Sequence, residues 1–170
     1  MSDSPVIHVD EIPEKEHLHG AHWGGAYKPL TPLLSTAGRA NLGVSLTRCP
    51  PGRSICPFHT HAREDEVFYI LSGQGVLRYG DDLYDLRAGH CVSCPAGSGI
   101  AHQMLNTGDE DLVYLSIGLN DPHEVCTYPD SGKVLVRALE TVGRLTRTQY
   151  MDGESERPRI HDLVASRTET

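Results

Sequence analysis

Between Leu42 and Ile117 the chain is built of short apolar or alternating runs, each stopped by glycine, proline or aspartate at intervals of about 8–12 residues. Leu42, Val44 and Leu46 alternate with Gly43, Ser45 and Thr47, the period of a half-buried strand, and Cys49-Pro50-Pro51-Gly52 stops it. Glu66–Leu71 is the next run. Gly73-Gln74-Gly75 predicts a tight turn, with Val76–Tyr79 returning as the second strand of a hairpin. Gly80-Asp81-Asp82 turns into Leu83–Leu86, and His90–Cys94 is a short strand ended by Pro95-Ala96-Gly97. Gln103–Asn106 and Leu112–Ile117 flank Thr107-Gly108-Asp109. Such punctuation points to an all-β sandwich or barrel.

The flanks are less regular. Residues 1–40 carry prolines 5, 13, 29 and 32 with little alternation and read as an irregular arm packing on the barrel or on a partner. Residues 41–140 are the expected barrel, with Val134–Leu139 as one more candidate strand. Residues 141–170 mix arginines with acidic residues and read as a polar tail.

Composition removes several functions. A chain of 170 residues fits one domain, which buries roughly 70% of its unfolded surface and needs no disulfides. The net charge is −8 and no more than two basic residues are consecutive, so no basic face for nucleic acid is expected. No apolar stretch approaches the ~20 residues of a membrane span. Met1-Ser2-Asp3-Ser4-Pro5 lacks the basic and apolar regions of an export signal, so a soluble cytoplasmic protein is expected. The five cysteines are then expected to stay reduced. Cys91 and Cys94, three apart on a strand, face opposite sides and read as small hydrophobes, not as a zinc or redox pair.

Chemistry concentrates in two places about forty residues apart. His59 and His61 stand two apart, the spacing that puts both side chains on one face of a strand. Glu66 leads the following apolar run, and His102 follows the Pro95-Ala96-Gly97 turn. Three imidazoles and one carboxylate at strand spacing are the ligand set of a mononuclear metal site with open positions, held inside a β-barrel. Iron, manganese, nickel, cobalt, copper and zinc all suit that donor set. Glu64 shares the strand parity of Glu66 and stays a second candidate by a slip of register. A second group, His17, His19 and His22, sits in the irregular arm with no carboxylate in register, and reads as exposed loop histidines.

These residues resemble the cupin superfamily. The first cupin motif matches Gly52…His59-Thr60-His61…Glu66…Gly73, and the second matches Gly89…Pro95-Ala96-Gly97…His102…Asn106. The Gly52–His59 interval is one residue longer than usual and the Gly97–His102 interval two longer, both in loops, which tolerate insertion. His90 stands where an aspartate often follows the motif glycine. The remainder, including Tyr128-Pro129-Asp130-Ser131-Gly132-Lys133, looks like a group of small single-domain bacterial cupins, some labelled sugar-phosphate isomerases.

The resemblance implies a double-stranded β-helix, or jelly-roll barrel, and assigns His59, His61, Glu66 and His102 to one divalent metal per chain. Phe68, Ile70 and Met104 have inward parity, as cavity wall or as core. His90 is a candidate hydrogen-bonding neighbour of the site; Asn106 either faces the cavity or caps the turn before Thr107-Gly108. No catalytic residue stands out beyond the ligands. The expected function is a metal-dependent enzyme on a small polar or anionic metabolite, of dioxygenase, isomerase or decarboxylase type. The alternative is a non-catalytic module that binds or senses a small molecule. Val67, Tyr69 and Leu71 make the Glu66–Leu71 run apolar on its second face too. That face calls for cover by residues 1–40 or by a second subunit, so a homodimer is expected.

Overall fold

A computed structural model describes residues 5–34 and 41–167; the first four residues, part of the stretch read for an export signal, lie outside it. The regular elements are β1 (Lys15–His19), β2 (Trp23–Pro29), β3 (Leu42–Cys49), β4 (Thr60–His61), β5 (Glu66–Ser72), β6 (Gln74–Tyr79) and β7 (Asp82–Arg87). They continue with β8 (Cys91–Cys94), β9 (His102–Asn106), β10 (Leu112–Leu119), β11 (Val125–Tyr128), β12 (Lys133–Val136), β13 (Thr141–Gly143) and one short helix, α1 (Ile160–Ala165). Every strand pairing is antiparallel. One sheet runs β1-β2-β3-β10-β5-β8, a second β13-β12-β11-β4 and a third β7-β6-β9. An isolated bridge between His59 and His102 ties the second sheet to the third.

The core lies between the six-stranded and three-stranded sheets. Phe68 and Ile70 from β5, Leu112 and Tyr114 from β10, and Val92 and Cys94 from β8 meet Leu77 from β6 and Leu86 from β7. The alternation on β5 is clean: Phe68 and Ile70 are buried while Tyr69 and Leu71 are exposed. Ile70 and Leu112 are both 0% exposed. Truncating such a side chain loses its transfer energy and leaves a void, so Ile70→Ala is expected to cost roughly 2–5 kcal/mol. Urea denaturation checks this, and a loss below about 1 kcal/mol would contradict the core assignment.

Three differences from the sequence reading have physical causes. Val76–Tyr79 does not return against β5: β6 pairs with β7 and β9 in another sheet. Gly73, at φ +83°, makes that crossing, and a Cβ there would meet Asp111 O at 2.4 Å. The N-terminal segment is not irregular throughout, because β1 and β2 form a hairpin that extends the large sheet beside β3. The described residues of this segment extend the sheet beyond β3 and leave Tyr69 and Leu71 of β5 42% and 43% exposed. In the candidate strand Val134–Leu139 only the first part is extended; Arg137–Leu139 is a 3-10 turn. Beyond it, every described residue from Ala138 onward is exposed.

Candidate metal centre

The short strand β4 and the residue before it bring His59 and His61 to the rim of the barrel, where the His59–His102 bridge sets β9 beside them. Two backbone hydrogen bonds, His59 N to His102 O (3.1 Å) and His102 N to His59 O (2.8 Å), fix that register. Glu66 enters from the first position of β5. One ligand atom from each of His59, His61, Glu66 and His102 lies within 4.8 Å of the others.

The geometry converges on one oxygen. Glu66 Oε2 lies 2.9 Å from His102 Nε2, 3.1 Å from His61 Nε2 and 3.8 Å from His59 Nε2. Neighbouring donors around an ion at about 2.1 Å stand roughly 3 Å apart, so the spacing suits a transition metal. His61 Nε2 is buried and lacks a hydrogen bond despite the short distance to Glu66. A cation between the two groups would satisfy both. The residues present therefore fit a metal.

The far side of each ring helps to aim it. His59 Nδ1 donates to Pro57 O at 2.8 Å, which leaves Nε2 as the free lone pair. His61 Nδ1 faces Cys126 Sγ at 3.3 Å, Glu124 Oε1 at 3.4 Å and Glu64 Oε2 at 3.5 Å. Glu124 is completely buried and accepts from the Ala62 and Arg63 amides at 2.8 and 2.9 Å, clamping the chain just after β4.

Burial, with the neighbouring His102 and His61, pulls His59 down to about 4, so it stays a neutral donor at ordinary pH. For His61, burial pulls down, but Cys126 and Glu66 outweigh it and carry the group up to about 10. Burial pushes Glu66 up, yet the hydrogen bond from His102 and the nearby His61 ring hold it well below the usual carboxylate range. In the metal-free site His61 thus holds a proton that an incoming ion must displace. Because the folded value lies above the ordinary one, that competition persists up to about pH 10 and strengthens on acidification. Loading near neutral pH is expected to release about one proton per ion. Calorimetry in buffers of different ionisation enthalpy measures it, and zero release contradicts this charge state.

His59, His61 and Glu66 open onto a cavity of about 350 Å³. Its wall holds groups that the sequence reading did not single out: Cys126 and Tyr128 on β11, Cys56, Ser116, and Arg137 at the end of β12. Tyr128 stacks against His59 with ring centroids 6.0 Å apart, and burial raises its phenol, keeping the proton on Oη. Arg137 donates through Nη1 and Nη2 to both carboxylate oxygens of Glu64, and through Nη1 to Asp121 O at 2.7 Å. Cys126-x-Tyr128 followed by Pro129-Asp130-Ser131-Gly132 is a strand-and-turn signature, and it was the available signal for this wall.

The other sequence candidates take different places. Glu64 pairs with Arg137 and faces the Nδ1 side of His61, away from the converging Nε2 atoms. Phe68 touches the site edge, its ring 5.8 Å from that of His102, while Ile70 is core and Met104 packs against the core. Asn106 caps the turn: its amide donates to Cys49 O and Glu110 O, and its oxygen accepts from Gly108 N. His90 lines a separate cleft with Tyr84 and Cys91. Of the pair Cys91 and Cys94, only Cys94 is a buried thiol; Cys91 is exposed. His17 and His19 lie on a strand and not in a loop.

A fold of this kind, with four convergent ligands at one end, defines a class before any comparison is made. Residues 45–118 match the Cupin domain model. The oxalate-binding protein of Thermotoga maritima is 37% identical over 114 residues, spanning 66% of this chain and 91% of that protein. The chain belongs to the cupin family. A solved structure from Acidithiobacillus ferrooxidans, described as a candidate sugar phosphate isomerase, superposes with a TM-score of 0.69 at 25% identity, covering 82% of this chain and 93% of that one. A predicted oxalate decarboxylase from Thermotoga maritima superposes with a TM-score of 0.57 at 26% identity, over 66% of this chain and 96% of that one.

Proposed function

We propose that the protein is a metal-dependent cupin enzyme acting on a small anionic metabolite of the oxalate or 2-oxo-acid type. The observation that carries this reading is that His59, His61 and Glu66 of the four-ligand cluster line the same cavity as Arg137. A divalent transition ion held by His59, His61, Glu66 and His102 would supply Lewis acidity and exchangeable positions facing the cavity.

The chain's own residues do the rest. Glu64 and Asp121 O hold Arg137 in place, so the N–H donors they leave over meet a carboxylate with little further ordering. Glu64 is paired with Arg137, and a bound ion would offset Glu66. Tyr128 keeps a proton on Oη at the cavity wall, where it can donate to a developing oxyanion. The reaction classes open to this arrangement remain decarboxylation, oxygenation and isomerisation.

The second reading is a non-catalytic binding module, favoured by the Thermotoga maritima relative named for oxalate binding. Incubating the metal-loaded protein with oxalate separates the two. Product formation supports the enzyme; thermal stabilisation without turnover across oxalate and 2-oxo acids supports the binder. Homodimerisation through the open outer face of β5, with Tyr69 and Leu71, accompanies either reading. Light scattering at micromolar concentration is expected to give twice the chain mass, and a monomer contradicts it.

A further inference from the structure

A second cleft, of about 540 Å³, shares only Pro57 with the metal cavity. Trp23 and Phe58 supply aromatic surface, β1 adds the imidazoles of His17 and His19, the turn after β11 adds Ser131 and the start of β12 adds Lys133. The sequence pattern marked those histidines without giving them a task, and the metal centre does not use them.

The charges in this cleft do not cancel. Asp130 also lines it, but its carboxylate accepts from Arg78 Nη1 at 2.7 Å, and that guanidinium lies 3.5 Å from the centroid of the Phe58 ring. Lys133 Nζ stands 5.4 Å from the Tyr128 ring centroid, and among the described residues no carboxylate comes within ion-pair distance of it. One cation is thus left without an anion. The Ser131 hydroxyl, shut off from solvent, has no hydrogen-bond partner.

The aromatic wall is also held in place before any ligand arrives. Arg53 Nη1 donates to Trp23 O at 2.6 Å and to Gly20 O at 3.0 Å, and the Gly24 amide donates to Ser54 O at 2.9 Å. Gly24, at φ +96°, lets β2 approach β1 so closely that a Cβ would sit 2.0 Å from His17 O. The Trp23 indole is nevertheless 38% exposed. A half-exposed indole on a fixed backbone, beside an unpaired ammonium, suits a flat ring that carries a negative charge.

We propose that this cleft binds a planar aromatic carboxylate, its ring against Trp23 and its carboxylate towards Lys133, independently of the metal centre. Trp23 is the chain's only tryptophan, so emission excited where tyrosine does not absorb reports on this cleft. Benzoate titrated into the metal-loaded protein is expected to change that emission saturably. Cyclohexanecarboxylate and benzyl alcohol, which each lack one half of the recognition, should bind roughly tenfold more weakly. Lys133→Met, which keeps the apolar stem, is expected to weaken benzoate by about tenfold or more. Glu66→Gln, which damages the metal seat, should leave benzoate binding unchanged. The proposal is overturned if no saturable change occurs, if Lys133→Met binds benzoate like the parent protein, or if Glu66→Gln abolishes the response.

Discussion

His102→Ala is expected to reduce bound metal from about one ion per chain to less than about a tenth, and to weaken affinity by more than about a hundredfold. His102 is 3% exposed and holds the shortest contact to Glu66, 2.9 Å, so its loss removes a donor from the centre of the cluster. Alanine also leaves a void beside Phe68, so the variant is expected to be less stable even without metal. Glu66→Gln separates the two effects, because it keeps the side-chain volume and removes the charge. Both variants should lose the thermal stabilisation that added metal gives the parent, about 4 kcal/mol when the ion is a thousandfold above its dissociation constant. Retention of that stabilisation in both would place the metal elsewhere.

Arg137 carries the second large effect, and here stability and binding must be separated. Its partner Glu64 is buried, with a side chain only 5% exposed, while the guanidinium itself is 38% exposed. Removing Arg137 strands a buried carboxylate, a loss of about 3–5 kcal/mol for a fully buried pair and less here because solvent reaches the guanidinium. Arg137→Gln is therefore expected to lower stability by roughly 2 kcal/mol, and Glu64→Gln/Arg137→Gln to recover part of it. Oxalate affinity should behave differently. Both variants are expected to bind oxalate at least about tenfold more weakly than the parent protein while keeping their metal. Calorimetry on metal-loaded protein reads this directly. If the double variant binds oxalate as the parent does, Arg137 only holds Glu64 in place and the substrate reading loses its anchor.

These two sites differ in how visible they were beforehand. His59 and His61 were legible because strand spacing fixes their common face, and Glu66 and His102 because they complete the two cupin motifs. Arg137, Cys126 and Tyr128 reach the cavity, and Glu124 the Nδ1 side of His61, through pairing across the chain, with Cys126 opposite His61 and Thr127 opposite Thr60. No local pattern encodes a contact over sixty residues. The same limit hid the sheet change at Gly73: a turn residue shows that the chain bends, but not which sheet receives the outgoing strand. The β1–β2 hairpin escaped notice because Gly24 and Gly25 interrupt the alternation that marks a strand. They are there for close approach: a Cβ on Gly25 would lie 2.4 Å from Arg48 O on β3. Asn106 shows the converse case. Its parity allowed a cavity role, while the adjacent Thr107-Gly108 turn gave the capping role that the structure displays.

The most direct test is the metal content of untagged protein, determined by elemental analysis alongside the His59→Ala, His61→Ala, Glu66→Gln and His102→Ala variants. The parent is expected to carry about one transition-metal ion per chain, with all four variants falling below about a tenth of that. A parent protein that holds no transition metal even after loading, or variants that hold as much as the parent, would contradict the metal centre.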